Sequence, residues 1–172
     1  MPDSTFLISV IGFFIILTPL IFVHELGHYL AAIKSGVKVE SFSIGFGPEL
    51  IGFQDRRNTR WKFSLLPLGG YVKMKGEMIN HENFKSNDKD SFLNATLKNR
   101  ALIILSGPLA NLILGFFLII SLISYSPEDP NFIFPDNREI KNLLGFRGSY
   151  ISDLFFQTIG LISYLMSITL IL

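Results

Sequence analysis

Residues 24–28 read His-Glu-Leu-Gly-His, two histidines four positions apart with a carboxylate directly after the first. On an α-helix such histidines project about 40° apart, on one face and one turn separated. Two imidazoles so placed can share one Zn²⁺ at about 2.0–2.1 Å each. Glu25 points about 100° away from His24, where it reaches an attacking water without being a ligand itself. This is the arrangement of metal-assisted hydrolysis, with His24 and His28 as metal ligands and Glu25 as general base. The protein has three histidines, two of them in this motif, and no cysteine, which excludes thiol nucleophiles and disulfides. The third, His81, lies in the polar stretch 77–91 and reads as a solvated surface residue.

The motif follows directly on an apolar run, residues 6–23, and two further runs cover residues 101–125 and 151–172. Each has the roughly 20 residues a bilayer-spanning helix needs. The expected fold is therefore mostly α: a polytopic membrane protein with about three transmembrane helices. Eighteen helical residues from Phe6 cover about 27 Å, which puts His24 near the inner edge of the hydrocarbon. Ionisable groups at such depth are costly and are kept for function. Pro19 either kinks the first helix or is a tolerated membrane proline, and Gly27 either slims the helix at the site or serves close helix packing.

Twelve of the fifteen Lys and Arg residues fall within 34–100, the exceptions being Arg138, Lys141 and Arg147. Basic loops stay on the cytoplasmic side, so 34–100 is expected in the cytoplasm, with the N-terminus and 126–150 outside. The first run lacks a basic leader and a small-residue cleavage site, and is expected to stay in the protein. Nothing in this charge pattern points to a nucleic-acid partner.

Within that loop, residues 37–44 and 61–65 alternate apolar and polar side chains, bounded by Gly, Pro and Asn, the pattern of amphipathic strands. They predict a small membrane-associated β-element, whose edge either pairs with an extended substrate or is purely structural. Residues 77–91 are expected to be flexible. In the second run, Asn111 lies about 15 Å along the helix from Arg100. As an amide in lipid it needs a partner: it contacts the substrate, stabilises a developing oxyanion, or bonds between helices.

Four stretches together carry a family resemblance: 22–29 around the histidines, 39–47 (Val-Glu-Ser-Phe-Ser-Ile-Gly-Phe-Gly), 67–74 (Pro-Leu-Gly-Gly-Tyr-Val-Lys-Met), and Arg100-Ala101 with 107–111 (Gly-Pro-Leu-Ala-Asn). In this order the chain resembles the site-2 proteases, intramembrane zinc metalloproteases, and among them the bacterial regulator-of-sigma-E branch. The resemblance implies zinc on His24 and His28, Glu25 as catalytic base, a β-element near the substrate path, and location in the bacterial inner membrane. Its implied substrates are transmembrane segments of single-pass proteins such as anti-sigma factors. The catalytic core is expected over residues 1–125, a short extracytoplasmic loop over 126–150, and a third transmembrane helix over 151–172.

The last third departs from that pattern. Residues 126–150 are too short for the family's PDZ domain, and its third ligand, an aspartate in a Leu-Asp-Gly-type motif, has no counterpart. Asp153 is expected at the outer end of its helix, too far from the histidines to be a ligand. Glu40, Glu49 and Glu77 reach the site only if their strands fold back to it. The chain therefore reads as a truncated version of a longer protease, inactive by itself until another segment or a second chain completes the zinc site. The alternative is a protease-derived membrane protein that binds a transmembrane partner without cutting it. Serine and aspartyl intramembrane proteases are excluded, since the chain lacks a Gly-x-Ser nucleophile segment and a pair of membrane aspartates.

Overall fold

The structure, a computed structural model, describes residues 4–77, 88–130 and 139–171. Its elements in chain order are α1 (Ser4–Lys34), β1 (Val39–Gln54), β2 (Arg60–Met74), α2 (Leu97–Ile123), α3 (Gly145–Ile159) and α4 (Ile162–Ile171). They form two compact units, Met1–Ala110 and Asn111–Leu172, whose boundary falls within α2.

In the first unit, α1 continues through Pro19 and past the His-Glu-Leu-Gly-His motif to Lys34. The motif is thus held in the helix interior. The expected strands are present and longer than their alternation suggested, forming one antiparallel pair. Gly45 and Gly47, both at φ 89°, let β1 bend where a side chain would be strained. Because both strands fold back, Phe42 stands opposite Val72 on one side and Trp61 on the other. Ser43 likewise stands opposite both Tyr71 and Lys62. Beyond the bend Ile51 faces Phe63 and Phe53 faces Trp61.

The sheet covers α1 through its aromatic residues. Phe42 is fully buried, with ring centroids 5.8 Å from Phe22, 5.9 Å from Tyr29 and 4.3 Å from Trp61. Burying such a ring stabilises by about 1.5–3 kcal/mol. Along the outer part of the hairpin the apolar residues are exposed: Ile51 by 74% and Phe53 by 62%. Behind the sheet, residues 88–92 are held in place: Lys38 N–H donates to Asp90 O, Phe92 N–H donates to Lys75 O, and the Lys75 ammonium bridges Asp88 and Asp90. These last four residues of the expected flexible stretch, 88–91, are tied down, while 78–87, His81 among them, lie outside the described residues.

Asp55 ties the hairpin turn to α1. Its Oδ1 accepts from the Arg57 and Thr59 amides at 2.8 and 2.9 Å, and its Oδ2 from Trp61 Nε1 and the Tyr29 hydroxyl at 3.0 and 3.2 Å. Burial alone would push the Asp55 carboxyl up. The donors from Trp61, Thr59, Arg57 and Tyr29 outweigh it and hold the group below the usual aspartate range. A carboxylate depressed in the folded state adds stability above its unfolded pKa of about 3.9, and that stability is lost as pH falls through the folded value. Trp61 is the only tryptophan, so its fluorescence should report this step with a midpoint below about pH 3.9. Asp55→Asn should abolish the step and weaken the hairpin by about 1–3 kcal/mol. A midpoint at or above the ordinary aspartate value would overturn the assignment.

α2, which runs across the boundary into the second unit, is long and apolar enough to cross a membrane, as expected for the second run. The third run differs from its expectation. It forms α3 and α4, bent by 116° at a break, and passes the same test only when the pair is taken together. Gly160, at φ 58°, ends α3 with its N–H donated to Phe156 O. Among the described residues one helix, or two if the bent pair is one span, is long and apolar enough to cross a membrane. Much of this unit's interior is polar. Ser121 Oγ donates to Gly148 O at 2.6 Å, Ser149 Oγ to Pro130 O at 2.6 Å, and the Asp129 carboxylate accepts the Lys141 and Asn142 amides at 2.9 Å. Buried Asp153 accepts from Gln157 Nε2 at 2.7 Å and from the Tyr125 hydroxyl at 3.3 Å.

Candidate metal centre

The helical spacing of the motif is realised in α1, and it brings the Nε2 atoms of His24 and His28 to 3.3 Å, with rings inclined at 78°. His28 Nδ1–H donates to the Ile103 carbonyl on α2 at 2.7 Å. That bond fixes the tautomer, so His28 turns its Nε2 lone pair towards His24. Two imidazole nitrogens facing each other repel unless a proton or a cation lies between them. Two bonds of about 2.0–2.1 Å at a tetrahedral angle separate their nitrogens by about 3.3–3.4 Å, which matches the observed spacing. The pair fits a zinc ion in donor type and in separation. Among the described residues no group of three His, Cys, Asp or Glu side chains gathers to hold a metal.

Glu25 is buried, 9% exposed, against the strand β2. A Cβ placed on Gly70 would lie 2.9 Å from Glu25 Cγ and 2.7 Å from Ser43 O, so only glycine lets the strand pass this close. Between α1, β2 and α2 lies a cavity of about 270 Å³. Glu25 and His28 line it together with Gly70, Tyr71, Val72 and Glu77. The proposed base and a proposed ligand therefore share one cleft with a strand.

The other carboxylates considered from the sequence separate clearly. Glu40 pairs with Lys73 at 2.9 Å and Glu49 with Arg60. Glu77 lines the cavity and accepts the Met74 amide at 3.1 Å. Asp153 belongs to the second unit, bonded there to Tyr125 and Gln157. Asn111, at the first position of that unit, is half-buried on α2.

Two features of α2 escape sequence reasoning. One is the Ile103 carbonyl, which also accepts from Ser106 Oγ at 2.6 Å. The other is Gly107, where a Cβ would run into His28 Nε2 and sit 2.8 Å from His24 Nε2. The Gly-Pro-Leu-Ala-Asn stretch contains this residue, but the facing of α2 and α1 carries no local signal. Gly27 completes the approach. A Cβ there would collide with the Ser106 carbonyl and come within 2.9 Å of Ala110 Cβ, so it serves the close packing of the two helices.

Comparison with known proteins places the chain in a family. A Rhizobium meliloti protein named "Putative zinc metalloprotease" is 41% identical over 139 residues, covering 73% of this chain and 37% of its own length. Proteins of the same description from Brucella suis (43% over 121 residues, 65% of this chain and 32% of its own) and Campylobacter jejuni (49% over 106 residues, 62% and 28%) are also similar. This chain spans about a third of the length of the curated relatives it matches. Residues 12–170, both histidines and Glu25 among them, match the family model described as peptidase family M50. The chain belongs to peptidase family M50, the site-2 proteases.

Proposed function

We propose that this protein is an intramembrane zinc metalloprotease that hydrolyses peptide bonds in transmembrane segments of single-pass proteins, anti-sigma-factor-like substrates among them. The observation that carries this reading is the convergence of His24 Nε2 and His28 Nε2 at 3.3 Å beside buried Glu25. His24 and His28 would hold the zinc, and an additional ligand from another segment or a second chain would complete the site. When bound, zinc supplies Lewis acidity that polarises the scissile carbonyl and makes water easier to deprotonate. Glu25 accepts the proton of the attacking water and returns it to the leaving amide nitrogen. Ile103 keeps His28 in the tautomer that binds through Nε2.

Segment 70–74 pairs with 39–44 along one edge, and several of its residues line the cavity beside Glu25. An extended substrate joining the sheet there would bring a peptide bond to Glu25 without further side-chain recognition. The test is a purified-protein assay on a model transmembrane substrate. Cleavage that needs zinc and stops on chelation supports the reading. Zinc retained without cleavage, even when a segment carrying the family's Leu-Asp-Gly-type aspartate is supplied to complete the site, favours the non-cutting membrane protein that binds a transmembrane partner.

The family is membrane-associated, and this protein is proposed to sit in the bacterial inner membrane with residues 34–100 in the cytoplasm. The exposed apolar hairpin beside Arg56 and Arg57 supports contact with a bilayer surface, apolar residues in the lipid and arginines at the headgroups. Asn58→Cys should resist labelling from outside intact cells and become labelled once they are opened. Labelling from outside would reverse the orientation.

A further inference from the structure

We infer that Gly107 on α2 makes the room in which the metal sits, an inference that rests on the zinc reading of His24 and His28. The histidine nitrogens converge on the space directly above the Gly107 α-carbon. A Cβ there would overlap His28 Nε2, lie 2.7 Å from His28 Cε1 and 2.8 Å from His24 Nε2, where real Cβ contacts essentially never fall below 3.0 Å. Any larger residue at 107 would therefore occupy the space on which both Nε2 atoms converge.

Glycine is among the poorest residues for a helix interior, and Gly107 stands in the interior of α2 beside Pro108. Sequences break local rules of this kind where a site requires it. The surroundings hold the residue in place. Ile103, one turn before it, anchors His28, and the Ser106 carbonyl and Ala110 meet Gly27 of α1 in close packing. One turn of α2 thus orients a ligand through a carbonyl and clears its nitrogen through a missing side chain.

The test uses the purified full chain with zinc as the probe. Zinc should raise the melting temperature of the wild type, because a ligand that binds only the folded state stabilises it. Gly107→Ala should weaken zinc binding by about 10–100-fold or more and lose that thermal response at zinc levels that saturate the wild type. To separate clearance from folding, the same substitution is made in a His24→Ala/His28→Ala background. With the rings gone, alanine should be neutral or raise the melting temperature, as a better helix former. If Gly107→Ala binds zinc like the wild type, the inference is wrong. It is equally wrong if the substitution destabilises both backgrounds alike, since the glycine then serves helix packing. A wild type that neither binds zinc nor responds to it would instead overturn the zinc reading itself.

Discussion

Glu25→Gln is expected to leave zinc bound and to lower proteolysis by about 10²–10⁴-fold, the usual contribution of a positioned general base. Glutamine matches glutamate in size, so it fills the buried space beside Gly70 without a new void or clash. What changes is chemistry. The amide oxygen hydrogen-bonds to water but is far too weak a base to take its proton, and no other carboxylate described in the cavity is as close in sequence to both histidines. Glu77, the other acid lining the cleft, is engaged with the Met74 amide at the end of β2. The measurement pairs zinc content with initial rates on a model transmembrane substrate, both proteins being supplied with the segment that completes the zinc site, in one membrane preparation. Loss of zinc in Glu25→Gln equal to that of a histidine variant would make Glu25 a ligand. An unchanged rate would place the base elsewhere.

The part of this site legible in the sequence is the part made within one turn of helix. Histidines at i and i+4 meet because helical geometry dictates it, and the intervening glutamate turns aside for the same reason. The hairpin was legible in its alternating halves, residues 37–44 and 61–65. It was not legible beyond Ile44, where Gly45, Gly47 and Pro48 interrupt the alternation. Only the pairing of Ile51 with Phe63 and Phe53 with Trp61 makes 49–54 a strand. The third apolar run forms two helices for a related reason. Its length and hydropathy suit one span, but Gly160 ends one helix and allows the next to leave at a sharp angle. Contacts between distant segments, such as Ile103 with His28 or Gly70 with Glu25, depend on how elements meet and have no periodic signature.

His24→Ala and His28→Ala should both release zinc, yet differ in what they do to the metal-free protein. Four-ligand zinc sites bind with about 10–16 kcal/mol, or about 2.5–4 kcal/mol for each ligand on an equal share. Removing one should therefore weaken affinity by roughly 10²–10³-fold at 1.4 kcal/mol per factor of ten. The two rings part company in their second nitrogens. His28 Nδ1–H donates to the Ile103 carbonyl, so the imidazole links α1 to α2 whether or not a metal is present. Its removal costs that hydrogen bond, about 0.5–1.5 kcal/mol, together with the packing of the ring against α2. His28→Ala should thus lower the melting temperature even in chelator, and His24→Ala should lower it less. Zinc affinity measured by competition with a chromophoric chelator checks the first expectation, and thermal unfolding in excess chelator checks the second. Undiminished affinity in either variant would remove that histidine from the metal site. Equal melting temperatures without metal would mean that the Ile103 bond orients His28 without holding the two helices together.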